Sequence, residues 1–397
     1  MINFEFDEKM TRKLFWETPY EREFSAKVIS ITDEGIILDQ TLFYPFGGNQ
    51  LSDQGVIKIK DFKIPIKNVT KEDEKIIHHI STEFHKKIKV GDEVIGKIDW
   101  KRRYGLMKSH SSQHIFSAVI KNKYNIDTVR ANIEFEDISL SISQELSHEQ
   151  LKSALQEINE ICISRNLKFE GKIISPKDLG RYENNIRGNI PSEDQIRIVE
   201  INDLDLVCCG GTHVQNSTEI GPLYLYNFKK GKEIKYYIGD KALNLITHLN
   251  VDLLELSNSL NAPIEKVKEK SEKNMELISA YKEKNEILLN KTLEIAAQSP
   301  ISKINDILVF FLDFKIDHKT IAKNLHLFPL ESFLIIKMSA KRFRFISKTQ
   351  YIDANSILQV FIKKYGGKGG GNPNSAQGTF EIEPKSIISE LKQIIIS

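Results

Sequence analysis

Four side chains in this sequence could close around one metal ion. His110 and His114 stand four residues apart in KSHSSQHIFSAVI, and Cys209 and His213 stand four apart in LVCCGGTHV. On a helix, residues i and i+4 share a face, so the first spacing aims two imidazoles at one point. The second pair spans Gly210 and Gly211, which let backbone approach a bound group closely. Neutral imidazole and thiolate are donors that Zn²⁺ prefers, and two such pairs complete a tetrahedron. The competing reading is a core cysteine beside hydrogen-bonded histidines. A zinc peptidase is disfavoured, because H-E-x-x-H needs a glutamate base after the first histidine and Ser111 stands there. Water activation would then fall to the ion, which can bring a bound water's pKa to about 7, or to backbone and substrate groups. Binding by all four side chains at once would resemble a closed structural site, and the sequence leaves that choice open.

The elements that must position these residues follow from periodicity. Residues 20–100 read as β structure, with alternating segments FSAKVISIT, GIILDQT and GVIKIK separated by Asp, Gly and Asn turn signals. They enclose a glycine-containing loop, FYPFGGNQLSDQG at 43–55, whose glycines could serve turns alone. Residues 102–122 switch to helical spacing, with His110 and His114 on one face. Strands are predicted in RANIEFEDISLSIS, IRIVEIN, LYLYNF and IKYYIG, and a helix over 149–165. The CCGGTHV loop falls between IRIVEIN and LYLYNF. Residues 242–298 read as helical, broken at Pro263. The second helix, rich in Lys and Glu, suits a coiled-coil or hairpin arm, or equally a solvated bundle helix. After Ser299-Pro300 a compact α/β domain is expected, ending in the glycine-rich stretch GGKGGGNPNSAQGTFEI at 366–382.

Bulk properties narrow the class. A chain of 397 residues that is 40% hydrophobic can bury more than one core. Its 56 basic and 54 acidic residues leave a net charge of +2, so any nucleic-acid surface must be a local patch. Three cysteines, Cys162, Cys208 and Cys209, do not make a disulfide framework. The charged start MINFEFDEKMTRK lacks the apolar stretch of a signal peptide, and no apolar run reaches ~18 residues. A soluble cytoplasmic protein without a membrane partner is expected.

FYPFGGNQLSDQG, HSSQH, IRIVEINDLDLVCCGGTHV and IGDKAL, in this order, resemble the editing domain of alanyl-tRNA synthetase and its free-standing editing relatives. GGKGGGNPNSAQG resembles the DHHA1 domain of the long forms. The resemblance implies an α+β multidomain fold. Its parts would be a β-barrel-like N-terminal domain (1–100), a zinc-centred α/β editing core (101–241), a helical arm (242–298) and a C-terminal α/β DHHA1 domain (299–397). It implies zinc ligands at His110, His114, Cys209 and His213, with Cys208 a bystander. Gly47, Gly48, Asn49 and Gln50 map to the substrate loop, and Thr128 to a polar residue that meets the misacylated side chain; Thr128 and Gln50 are the expected catalytic positions. Three departures stand out. Phe46 replaces an acidic residue, Asn49 a third glycine, and Asn372 an arginine.

The function this implies is zinc-dependent trans-editing: hydrolysis of serine, or glycine, wrongly esterified to alanine tRNA. A site made to hydrogen-bond the serine hydroxyl is left unpaired by alanine, which discriminates far better than exclusion of a hydroxyl by an apolar pocket. Because the chain begins at the editing part, it is not expected to charge tRNA. Asp317-His318-Lys319 is not an Asp-His-His motif, which argues against a phosphodiesterase. The alternative is a tRNA- or RNA-binding module with a purely structural zinc. A polyanionic substrate calls for cations. Lys97, Lys101, Arg102, Arg103 and Lys108 precede the ligands, with Arg102 and Arg103 as expected substrate contacts. A second patch interleaves Lys341, Arg342, Arg344 and Lys348 with Phe343 and Phe345, which could stack on bases. The helical arm and the C-terminal domain suit a homodimer.

Overall fold

A computed structural model describes residues 11–182, 185–191 and 196–396. The chain divides into two compact units, Met1–Glu255 and Leu256–Ser397.

The first unit opens with a seven-stranded antiparallel sheet. Its order is Phe62–Ile66, Gly55–Ile59, Glu93–Ile98, Glu23–Ile31, Gly35–Leu38, Lys75–His79, Val69–Glu72. Strict alternation along Glu23–Ile31 turns Phe24, Ala26 and Val28 inward. The expected barrel-like domain is an open sheet and not a barrel: the hydrogen-bonded ladder ends at Phe62–Ile66 on one side and Val69–Glu72 on the other. These edge strands are nonetheless consecutive, joined by Lys67 and Asn68 alone. So short a link spans only ~10 Å. The sheet therefore curls until its edges approach, around a core that includes Phe43, Ile57, Ile64 and Ile76, without the pairing that would close it.

The helix Trp100–Tyr124 follows, with Asp99 as N-cap accepting from the Arg102 N–H and Asn125 as a left-handed C-cap. Every residue from Gly105 to Ile120 is buried. Small residues allow that depth: a Cβ on Gly105 would lie 2.3 Å from the Phe135 ring. One wall is an antiparallel sheet ordered Thr128–Glu134, Asp137–Ile142, Glu233–Ile238, Leu223–Lys229. The helix His148–Ile163 packs beside it, started by a capping box between Ser147 and Gln150. A three-stranded antiparallel sheet, Phe169–Ile174, Ile196–Ile201 and Asp205–Cys208, carries the CCGGTHV loop off its last strand. The helix Gly239–Leu260 begins the predicted helical stretch.

The second unit contains the helix Val267–Ala297 and a six-stranded mixed sheet. Only Ile307–Leu312 and Ser332–Ser339 run parallel, and the helix His318–Asn324 lies in their crossover. The glycine-rich stretch is paired as strands. It forms the hairpin Lys368–Asn372 with Ser375–Thr379, because Gly369 and Gly371 lie where a Cβ would strike the partner backbone at 2.5 and 2.2 Å. The second basic patch loses its aromatic component here. Phe343 and Phe345 alternate with Arg342 and Arg344 along one strand, so both rings face the core while the guanidinium groups lie on the other face, Arg342 exposed and Arg344 half-buried against Gln377. Lys348 is also engaged, donating to the carbonyls of Leu325 and Phe328. Among the described residues no helix is long and apolar enough to cross a membrane.

Candidate metal centre

The buried helix Trp100–Tyr124 presents His110 and His114 one turn apart, and the CCGGTHV loop brings Cys209 and His213 against them. One donor atom from each of the four lies within 4.8 Å of every other. Cys209 Sγ is 3.4 Å from His110 Nε2 and 3.3 Å from His213 Nε2. Those two separations match the ~3.5 Å edges of a tetrahedron with zinc–nitrogen and zinc–sulfur bonds of ordinary length. The three imidazoles pack with ring centroids 4.5 to 4.9 Å apart. Cys208, one residue away, belongs to the strand Asp205–Cys208 and packs against a separate small cluster with Ile198.

Partners on the far side of the rings fix which nitrogen faces the cluster. Gln50 Oε1 accepts from the Thr212 N–H at 3.1 Å, so it is a carbonyl oxygen. His110 Nδ1 lies 2.8 Å from the same oxygen and must donate to it, which leaves the Nε2 lone pair free for an ion. His213 Nδ1 is 3.4 Å from Ser111 Oγ, again leaving Nε2 inward. His114 differs: both ring nitrogens are buried without a hydrogen-bond partner. A buried unpartnered imidazole is costly, and a cation at the cluster would supply its missing partner. The donor set and the orphaned nitrogens both fit a resident transition metal.

Electrostatics point the same way. Burial pushes His110 down to about 3, with the Arg197 charge adding to it. Burial, then neighbouring His110, hold His114 and His213 well below the usual histidine range. All three imidazoles are therefore neutral, the form that ligates. Burial pushes the Cys209 thiol up, against the opposing charge of Arg197. A divalent cation reverses that balance, since a coordinating thiol is deprotonated outright.

The loop that carries Cys209 and His213 is held from several sides. Gly211 must be glycine, because a Cβ there would lie 2.2 Å from the His110 ring. Arg197 Nη1 donates to the carbonyls of Cys209 at 2.7 Å and Gly211 at 3.0 Å. The Trp16 indole N–H donates to the Gly210 carbonyl at 2.7 Å. Gln50 Nε2 donates to Thr212 Oγ1 at 2.8 Å. Trp16 and Arg197 were not singled out in the sequence. An arginine inside the apolar strand IRIVEI was the available signal for one of them, and Trp16 had none.

Gly48 and Asn49 both have positive φ, +56° and 63°, between the mutual backbone bonds of Gly47 and Gln50. That is the tip of a type I′ turn, where asparagine substitutes for glycine readily, so the Asn49 departure preserves the turn. The turn seats Gln50 behind His110 and pairs with Ile133 on the strand that begins at Thr128. Thr128 Oγ1 lies 2.7 Å from Ser117 Oγ, which accepts from Gln113 Nε2 at 2.9 Å. His110, His114 and Ser117 share one helix face, so Thr128 lies beyond His114, at the opposite end of the cluster from Gln50.

The first basic patch is largely dismantled. Arg103 is fully buried, and its guanidinium is bound to the Asp53 carboxylate and to the carbonyls of Pro19 and Leu42. It is a structural ion-pair partner, not a surface cation for phosphate. Lys108 is buried on Glu136 at 3.0 Å, and Lys97 pairs with Glu23 at 2.6 Å. Arg102 is half-buried, donating to the Ser52 carbonyl at 3.0 Å. The structure leaves Lys101 exposed.

Comparison with known proteins agrees with this reading of the motifs. Residues 3–102 match the family model "tRNA synthetases class II (A)", and residues 196–235 match "Threonyl and Alanyl tRNA synthetase second additional domain". The alanyl-tRNA editing protein AlaX-L of Pyrococcus horikoshii is 29% identical, over 95% of this chain and 96% of its own length. The alanine–tRNA ligase of Sulfurisphaera tokodaii is 27% identical over 97% of this chain, which spans 44% of that ligase. Among solved structures, the C-Ala domain of Aquifex aeolicus alanyl-tRNA synthetase aligns with 24% of this chain and 97% of its own, at 18% identity. Its TM-score of 0.21 is too low to bear on the fold. The resemblance drawn from the motifs therefore holds along nearly the whole chain.

Proposed function

We propose that this chain, an alanyl-tRNA editing protein by family, is an aminoacyl-tRNA deacylase that hydrolyses serine from mischarged tRNA(Ala) in trans, with Zn²⁺ held by His110, His114, Cys209 and His213. The observation that carries the reading is the convergence of these four donors with both nitrogens of His114 left unpartnered. The near full-length similarity to an editing protein supports it.

A zinc ion at this position supplies Lewis acidity to hydrolysis of an ester. The chain's own residues bind and orient. Gln50 holds His110 in one tautomer and ties it to the loop that bears the other two ligands. The Gln113–Ser117–Thr128 chain offers hydroxyls beyond His114. A serine hydroxyl can join that chain, whereas alanine leaves it unpaired, which disfavours the correctly charged tRNA. Neutral histidines around the cluster keep added positive charge out of a site that must accept an ester.

The test is deacylation of Ser-tRNA(Ala), Gly-tRNA(Ala) and Ala-tRNA(Ala) by the zinc-loaded protein. Turnover of the serylated tRNA with Ala-tRNA(Ala) spared is expected, and glycine in competition reveals the breadth of the pocket. His114→Ala and Cys209→Ala are expected to lose both zinc and turnover; full activity in a zinc-free variant refutes the metal's role. A second reading has one observation in its favour. Four protein ligands closing on one ion is the arrangement of a structural site. No turnover of any aminoacyl-tRNA by zinc-loaded protein that binds tRNA selects that reading.

A further inference from the structure

Arg103, Arg187 and Arg197 are arginines of the first unit with buried or half-buried guanidinium groups, and two of the three have a carboxylate. Arg103 is paired with Asp53, and Arg187 is paired with Asp205 through bonds of 2.8 and 2.7 Å. Arg197 has none among the described residues. Its only hydrogen bonds run from Nη1 to the carbonyls of Cys209 and Gly211, leaving Nε and Nη2 without a partner. The guanidinium lies across Gly171, where a Cβ would come within 2.7 Å of Nη2, so the absence of a side chain there is what gives the group its room. Beside it is a cavity of about 70 Å³ lined by Trp16, Phe169, Gly171, Arg197, Val199 and His213, among others. The space admits roughly two waters, or one compact anionic group, but not a nucleobase. His213 lines the cavity and belongs to the cluster, so an anion bound here would lie beside a member of the ligand set.

We propose that Arg197 is a substrate-binding residue whose free guanidinium edge takes the 5′-phosphate of the terminal nucleotide. That holds the aminoacylated ribose against the metal cluster. The proposal rests on the deacylase reading for the identity of the substrate. The physics is that of a half-buried cation whose counter-charge arrives with the ligand. Nε and Nη2 together present the fork that matches two oxygens of one phosphate. The same residue fastens the carbonyls around Cys209 and Gly211, so phosphate binding and ligand-loop geometry share one side chain.

The experiment compares adenosine 5′-monophosphate with adenosine as probes of the full-length protein, by calorimetric titration. Wild-type protein is expected to bind the monophosphate about tenfold or more tightly than adenosine, the effect of one charge-assisted pair of hydrogen bonds. In Arg197→Gln the ratio is expected to fall below about twofold. The ratio cancels any general damage to the loop, because both probes meet the same altered site. Equal affinities in wild type overturn the proposal, as does a preserved preference in Arg197→Gln. Should that variant fail to fold, wild-type protein answers alone: the monophosphate, and not adenosine, is expected to shield Arg197 from modification by phenylglyoxal. Equal labelling with both probes overturns the proposal. Failure of the deacylase reading is separately visible as absent Ser-tRNA turnover in wild-type protein whose monophosphate preference is intact.

Discussion

Two regions of one helix bury polar groups to the same depth and treat them in opposite ways. In the first turn of Trp100–Tyr124, Arg103 is fully buried and every arm of its guanidinium has an acceptor: Asp53, Leu42 or Pro19. Farther along, His114 is 5% exposed and neither ring nitrogen has a partner. Satisfied burial is architecture, since the pair locks the helix to the 43–55 loop. Unsatisfied burial is a cost that folding alone does not require, and a cation at the cluster would offset it.

The largest effect that would break this comparison is at the satisfied end. Asp53→Ala leaves Arg103 charged and buried without its counter-ion, with an expected loss of about 3–5 kcal/mol in chemical denaturation. A loss below 1 kcal/mol would mean that the pair is not what anchors the helix. At the unsatisfied end the sign should reverse. His114→Leu keeps the volume and removes two orphaned nitrogens, so metal-free protein is expected to be unchanged or more stable by about 1–3 kcal/mol. Zinc should then no longer raise its melting temperature. Marked destabilisation of the metal-free variant would show that His114 is satisfied after all.

A smaller effect sharpens the boundary between the two regions. Gln50→Ala removes the acceptor behind His110 without touching a ligand, and zinc affinity measured against a competing chelator is expected to fall about 10–100-fold. No change would assign Gln50 to the loop alone. The mildest test concerns His78, a buried histidine that is satisfied while neutral. It lies 2.8 Å from Thr41 Oγ1 and 3.2 Å from the Ile36 carbonyl, and burial pushes it down to about 4. Because its folded pKa is depressed, the unfolded chain binds the extra proton between pH 6.5 and about 4. Its contribution is therefore present above pH 6.5 and is lost as pH falls through that window, with a slope of up to about 1.4 kcal/mol per pH unit. Subtracting the acid denaturation profile of His78→Asn from that of the wild type should isolate it. Superimposable profiles would remove His78 from the account.

Much of the site was legible because its logic is local. The i,i+4 spacing of His110 and His114 needs only helical geometry, and Cys209-Gly-Gly-Thr-His213 needs only a tight loop. The alternation that marks Glu23–Ile31, and the period that marks 102–122, likewise depend on neighbours a few residues away. Errors arose where a partner lies far along the chain. Lys101-Arg102-Arg103 reads as one basic run, yet a helix turns each residue about 100° from the last. That rotation points Arg103 inward to Asp53, fifty residues back, and only Lys101 fully outward. Phe343 and Phe345 read as stacking rings until the pleat turned them into the core. The expected barrel turned on whether two edge strands pair, and the hydrogen-bonding register across a curled sheet is written in no single segment.

By itself, the sequence determined which residues can ligate a metal and which stretches are helix or strand. These follow from side-chain chemistry and from periods of two and 3.6 residues, which are properties of short windows. Tertiary structure alone decided which buried charges are already answered. Asp53 reaches Arg103 and Asp205 reaches Arg187, while Arg197 meets carbonyls but no carboxylate among the described residues and His114 has no partner for either ring nitrogen. Whether a charge or a lone pair is satisfied depends on what lies within about 3 Å of it, and that distance is set by the packing of remote segments.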